Sequence, residues 1–305
     1  MSFEMELEEY KEDLLIQSSR KRCLVTGGAG FVGTNLVNRL VDDGHEVIVF
    51  DNLSTGSQYN INKESKLFLI DISHNEYFKD KKMDDIMNGV DVIFHMAALP
   101  RIGPSFKNPK EVCDINVGGT QNILDLARKY EIPVVYAGSS SFWGGTHKNP
   151  YTFSKWQGEE LCKLYERIYD LPVTICRFYN VYGDYMPTEG EYRTVLPIFL
   201  EQHKKGEPLT ITGDGEQRRD FTHVSDIVEA MMRVMYCNKW GSVYELGRGK
   251  NHSINEVADM FGGERVYIDE IPGETRNTLC RSELARKKLK WKPENNLKDW
   301  IGELL

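Results

Sequence analysis

Residues 23–33 read Cys23-Leu24-Val25-Thr26-Gly27-Gly28-Ala29-Gly30-Phe31-Val32-Gly33. A short apolar run enters a glycine cluster, and Leu36, Val37, Leu40 and Val41 then recur at helical spacing. Gly27, Gly30 and Gly33 permit a tight turn and close backbone approach, so the following helix N-terminus, with Phe31 and Val32, can hold a pyrophosphate. The next apolar run ends Val49-Phe50-Asp51, where a carboxylate accepts hydrogen bonds from ribose hydroxyls. A 2′-phosphate would meet like charge there, which favours NAD over NADP. By themselves Asp51 and Asn52 also read as a solvated strand-end turn; the glycine run weighs against that.

Further apolar runs lie at residues 67–70, 92–94, 134–136 and 173–175, separated by helical patterns such as Ile123, Leu124 and Ala127. This alternation predicts an α/β fold: a Rossmann-type doubly wound parallel sheet whose ligand site lies beyond the carboxyl ends of its strands. Residues 21–180 make up the expected NAD-binding domain, joined by a returning segment near 220–246. Residues 181–305 are mainly a smaller α/β substrate-binding cap, with a helix around 195–203, a strand at 209–211 and a helix at 224–235. The polar, acidic residues 1–20 read as an N-terminal extension.

A formal charge of −8 over 305 residues argues against a general nucleic-acid binder or an anionic-membrane binder. Cys23, Cys113, Cys162, Cys176, Cys237 and Cys280 show no metal-ligand or redox spacing, so reduced, buried thiols and no metal are expected. Glu4, Glu6, Glu8 and Glu9 stand where a secretory signal would be basic and then apolar. No apolar run approaches membrane-spanning length. A cytoplasmic location is the expectation.

Tyr151-Thr152-Phe153-Ser154-Lys155 puts a phenol and an ammonium on one helix face. A free phenol titrates near ~10, so acting as a base near pH ~7 needs roughly 4 kcal/mol of phenolate stabilisation. An adjacent ammonium and a charged nicotinamide can supply much of it. The run at 134–136 delivers Ser139-Ser140-Ser141 to the same sheet edge, where a hydroxyl can bond the reacting sugar oxygen. Asp71 and Ile72 fall at that edge too, and Ala97 and Ala98 are small enough for a cofactor to lie against the backbone. His95 reads as a hydrogen-bonded core residue.

These motifs, in this order, resemble the extended short-chain dehydrogenases that act on nucleotide sugars, and the likeness spans about residues 21–300. It rests also on Asn116 in Asn-Val-Gly-Gly-Thr, on Arg177-Phe178-Tyr179-Asn180-Val181-Tyr182-Gly183, and on residues 213–221. The resemblance implies that Ser139, Tyr151 and Lys155 are catalytic and that Asn116 is a polar link near the active site, counted with Tyr179 on the cofactor side. It implies that Ser141, Asn180 and Arg219 meet the nucleotide sugar, an arginine fork suiting phosphate oxygens. Related dehydratases carry an acidic pair after the serine, and related decarboxylases a glutamate two residues on; here Ser140 and Ser141 stand instead. The expected reaction is therefore C4 epimerisation of a UDP-hexose through a transient 4-keto sugar. The competing expectations are a 4,6-dehydratase, a reductase, an ADP-heptose epimerase, or a non-catalytic NAD-binding protein.

Thr278 matches a position where a bulky residue restricts N-acetylated sugars in similar epimerases, so UDP-N-acetylglucosamine is an expected substrate beside UDP-glucose. The pattern departs from the family in three places. Only a short loop, residues 142–150, separates Ser139 from Tyr151; Ile271 replaces an arginine for which Arg276 can substitute; and Leu279-Cys280-Arg281-Ser282 lacks an aspartate. Helices near 109–130 and 151–170 resemble those forming the family's dimer interface, with Leu161, Leu164 and Ile168 on the apolar positions, so a homodimer is expected.

Overall fold

The aliphatic runs build one sheet because strands buried on both faces need apolar residues at every position. In the computed structural model, which describes residues 20–270 and 273–305, these are β1 (Arg22–Thr26), β2 (Glu46–Asp51), β3 (Lys66–Leu69), β4 (Val92–His95), β5 (Val134–Ser139), β6 (Val173–Phe178) and β7 (Val243–Leu246). The expected N-terminal extension lies outside the described residues apart from Arg20, as does Ile271. The strand order is β7-β6-β5-β4-β1-β2-β3, and every neighbouring pair is parallel. The order in which strands are added reverses between β1 and β4, opening the crevice in which such sheets bind ligands.

Helices cover both faces. On one, α1 (Phe31–Asp42) packs with α5 (Val224–Tyr236), burying Leu36, Val37 and Leu40 with Ile227, Met231 and Val234. On the other, α2 (Thr120–Tyr130) and α3 (Pro150–Tyr169) bury Ile123, Leu124, Ala127, Cys162 and Tyr165 against β1, β4, β5 and β6. Thus α5 and β7, which follow the first segment of the cap in the chain, complete the sheet domain. The cap has its own core, where Leu196 and Phe199 of α4 (Val195–Lys205) meet Leu209, Ile211, Val257, Phe261 and Ile301. There Leu209–Thr212 pairs in parallel with Arg265–Ile268. No disulfide forms among the described residues, and Cys23, Cys162, Cys176 and Cys280 are buried while Cys113 and Cys237 are half-buried.

One ion pair sits inside the sheet–helix junction. Arg177 of β6 grips Glu159 of α3 through Nη2 at 2.6 Å and Nε at 3.1 Å, with side-chain exposures of 7% and 1%. Gly138 of β5 makes room for it, since a Cβ there would lie 2.9 Å from Glu159 Oε1 and 3.0 Å from Arg177 Cγ. Arg177 also stacks on Phe142, 3.7 Å from the ring centre. Removing one partner of such a pair strands the other's charge in a dry place. Glu159→Gln is therefore expected to cost about 3–5 kcal/mol in urea unfolding; a loss below about 1 kcal/mol would mean that water reaches the arginine.

Candidate active site

The glycine turn is held by contacts that leave no space for side chains. Gly27 has φ +70°, and a Cβ on it would fall 2.7 Å from Ala97 N; one on Gly33 would fall 2.0 Å from Gly27 O. Gly30 precedes α1 without a side-chain cap, so the first N–H groups of the helix are open to a ligand. Asp51 Oδ2 accepts from Ala29 N at 2.9 Å and Oδ1 from Leu53 N at 2.7 Å, tying the second strand to that turn. Asp71 accepts from Ser73 and from Asn52 Nδ2. Burial pushes its carboxyl up, but the bonds from Ser73 and Asn52 outweigh this and hold it below the ordinary range.

A cavity of about 730 Å³ runs from this turn to the cap. Of the expected site residues, Gly27, Gly30, Phe31, Val32, Gly33, Asp51, Asn52, Asp71, Ile72, Ala97 and Ala98 line its sheet side. Ser139, Ser141, Tyr151 and Lys155 line its middle, and Asn180, Arg219 and Thr278 its cap side. Three expected residues are not brought to it. Tyr179 is buried behind the wall, its hydroxyl donating to Glu245 Oε2 at 3.0 Å. Arg276 is exposed on a bidentate pair with Asp214. Asn116 is buried in the π-helical turn Asp114–Gly119 and works structurally: it accepts from Leu99 N, donates to Leu99 O, and donates to Ser154 Oγ at 3.0 Å.

Tyr151 stands at the start of α3 because Asn149 caps the helix, accepting from Thr152 N at 2.8 Å, and Pro150 fills its first turn. Its hydroxyl donates to Ser139 Oγ at 3.4 Å, and Ser139 Oγ donates to Ser141 Oγ at 2.9 Å. The phenol, the two serine hydroxyls and the sheet edge thus converge. Burial pushes the phenol above its ordinary range, opposed by the Ser139 hydrogen bond and by the charge of Arg101.

Lys155 lines the same cavity as Tyr151, one helical turn further along α3. Its Nζ lies over the Tyr136 ring, 4.3 Å from the centre, and makes no hydrogen bond to Tyr151. Burial pulls Lys155 down to about 8, against the charges of Glu159 and Cys162. His95 is a core residue, bonded to Thr26 Oγ1 at 2.7 Å and Thr120 Oγ1 at 3.0 Å, and pulled down to about 3 by burial and by Lys155.

The short loop 142–150 is met by the cap at Gly144. Residues 140–144 form a 3-10 turn, and Thr275 of the cap packs so closely on Gly144 that a Cβ there would lie 2.1 Å from Thr275 Oγ1. The sequence reading missed Arg101, Arg193, Gln217 and Glu274, all of which line the cavity. Glu274 had a local signal in the Pro-Gly-acid turn and Gln217 lies within the motif of residues 213–221, whereas no motif pointed to Arg101 or Arg193.

The chain belongs to the NAD-dependent epimerase/dehydratase family, whose model matches residues 23–247. It is 37% identical to a Methanocaldococcus jannaschii protein assigned provisionally as UDP-glucose 4-epimerase, covering 92% of this chain and 96% of that one. It is 35% identical to a UDP-N-acetyl-alpha-D-glucosaminuronate decarboxylase of Bacillus cytotoxicus, covering 93% and 99%. The structure of Thermotoga maritima UDP-glucose 4-epimerase with UDP-glucose superposes with a TM-score of 0.85 at 28% identity, covering 92% and 96%. The protein is an enzyme of the nucleotide-sugar epimerase/dehydratase group, and its cofactor is NAD. Among the described residues no helix is long and apolar enough to cross a membrane, and no cluster of His, Cys, Asp or Glu is placed to hold a metal ion.

A lysine near 8 in the folded chain and near 10.5 unfolded binds fewer protons when folded across that interval, so its penalty is fully present below about 8 and fades as pH rises to about 10.5. The stability difference between wild type and Lys155→Met, followed by urea unfolding from pH 7 to 11, is expected to shift by roughly 3 kcal/mol in favour of wild type over that window. A flat difference would place Lys155 in water.

Proposed function

We propose that the protein interconverts a UDP-hexose and its C4 epimer, the pairs UDP-glucose/UDP-galactose or their N-acetyl forms. The observation that carries this is the convergence of Tyr151, Ser139 and Ser141 at the cofactor cavity, with serines at 140 and 141 where an eliminating or decarboxylating enzyme needs an acid. The turn Gly27–Gly33 and Asp51 would hold NAD, which would supply reversible hydride acceptance at C4. Tyr151 takes the proton of the C4 hydroxyl on oxidation and gives it back on reduction. Ser139 holds that oxygen, and Ser141 turns the Ser139 hydroxyl. Between the two half-reactions the 4-keto ring turns over inside the cavity. The cycle consumes nothing, so NAD is expected to stay with the protein on purification.

Arg219 and Asn180 suit the diphosphate. Arg219 Nη2 donates to Glu274 Oε1 at 2.7 Å, and Asn180 Nδ2 donates to Thr278 Oγ1 at 2.9 Å. Thr278 presents a small side chain to the cavity, which favours room for an acetamido group. Leu164 and Ile168 of α3 are exposed while Leu161 packs on the sheet domain, which supports a homodimer through this helix.

Proton NMR of the NAD-loaded protein with each of the four UDP sugars is expected to show approach to a two-sugar equilibrium, with no solvent deuterium entering C4. Tyr151→Phe should lower turnover by at least about 10³-fold while leaving bound NAD in place. Inertness toward all four sugars, or a Tyr151→Phe variant as fast as wild type, would refute the reading.

A further inference from the structure

Ala97 and Leu99 line the cavity, and a buried chain of hydrogen bonds with His95 as its central link ties their backbone to the helix of Tyr151. Ala97 N donates to Thr26 Oγ1 at 3.2 Å, and the same amide packs on the glycine turn, where a Cβ on Gly27 would fall 2.7 Å from it. Thr26 Oγ1 lies 2.7 Å from Nδ1 of His95, and Nε2 of that ring lies 3.0 Å from Thr120 Oγ1. The Thr120 hydroxyl donates to the Asn116 carbonyl at 2.7 Å. Thr26, His95, Thr120 and Asn116 are all buried.

The place of each proton in this chain follows from its ends. A carbonyl only accepts, so the Thr120 hydroxyl gives its one proton to Asn116 and has to accept from His95. Nε2 therefore carries the ring proton. The ring is neutral, because burial and the charge of Lys155 pull it down to about 3, and the phenol of Tyr136, tilted against it with the ring centres 5.6 Å apart, is itself pushed well up by burial and brings no negative charge. Nδ1 is then bare and accepts from the Thr26 hydroxyl, whose oxygen accepts from Ala97 N.

The far end of the chain reaches the catalytic helix. The Asn116 side chain accepts from Leu99 N at 2.8 Å and donates to Leu99 O at 3.1 Å and to Ser154 Oγ at 3.0 Å. Ser154 Oγ in turn donates to the Tyr151 carbonyl at 2.9 Å. Residues 97–99 are thus tied at both ends to one asparagine, and that asparagine to the opening turns of α3. An imidazole suits the middle position: a donor and an acceptor stand at opposite edges of one rigid ring, which can bridge β1 and α2 in a single geometry.

We propose that His95 is a positioning residue for hydride transfer: as the neutral ring protonated on Nε2, it sets the cofactor-lining turn Ala97–Leu99 against the helix that presents Tyr151. This rests on the roles proposed above for Tyr151 and NAD. The ring touches no reacting atom, so its effect is on geometry, and a misplacement of about 1 Å between reacting groups costs on the order of 10²-fold in rate.

The test uses full-length, NAD-loaded protein. In NMR of heavy-nitrogen-labelled wild type, His95 is expected to show a one-bond proton coupling at Nε2 and none at Nδ1, unchanged from pH ~5 to ~8. A proton on Nδ1, or titration within that range, would overturn the proposal and needs no variant to fold. His95→Gln and Thr26→Val are expected to lower kcat about ten- to a hundredfold per folded molecule, with KM within about threefold of wild type. Thr26→Ser keeps the hydroxyl and should restore kcat to within about threefold. An unchanged kcat in His95→Gln and Thr26→Val, with only a lower urea midpoint, would assign the chain to stability alone and overturn the proposal. Inertness of wild type toward every UDP sugar would instead refute the epimerase reading, and the proton positions on His95 would then decide this one.

Discussion

The grip of Arg177 on Glu159 determines where the reactive groups of this enzyme stand. Tyr151, Lys155 and Glu159 succeed one another at four-residue intervals, so they share a face of α3. Anchoring the last of them to β6 sets the rotation of the helix and the height of the first against the sheet edge. Gly138 admits the pair, and the next residue, Ser139, then meets the phenol. The guanidinium continues outward onto Phe142, and Glu245 on β7 accepts from Arg177, from Trp143 and from Tyr179. One buried ionic cluster thus joins the helix that carries Tyr151, the serine turn and the loop between them. Burying charge is costly unless it is bonded, and each guanidinium nitrogen of Arg177 has a carboxylate partner.

The cavity pushes its titratable groups against their chemistry when no ligand charge is present. Burial raises the phenol of Tyr151 and lowers the ammonium of Lys155, shifting each toward its neutral form. The positive charge that opposes the shift of Tyr151 comes from Arg101, across the cavity, rather than from the lysine on its own helix. A low-dielectric site magnifies each charge that enters it. A charge that binds beside Tyr151 therefore acts on a phenol that burial has already raised.

Ser140 and Ser141 follow Ser139 here, and the epimerase proposal rests on them, while a decarboxylase lies among the relatives at 35% identity. Thr275 of the cap packs directly on Gly144 of the short loop.

The sequence by itself determined the sheet, the glycine turn, Asp51 and the face shared by Tyr151 and Lys155, because each depends on residues a few positions apart or on runs of apolar side chains. It located Asn180, Arg219 and Thr278 through motif order. It did not reveal that Tyr179 turns its hydroxyl to Glu245, that Arg276 pairs with Asp214 in solvent, or that Asn116 braces Leu99 and Ser154 behind the cavity wall. Nor did it bring Arg101 or Glu274 beside Tyr151 and Arg219. Those outcomes were decided by tertiary structure: whether a charged side chain faces a ligand or a protein partner depends on which carboxylate is closer in space, and pairs such as Arg177–Glu159 or Arg219–Glu274 join elements that no local pattern connects.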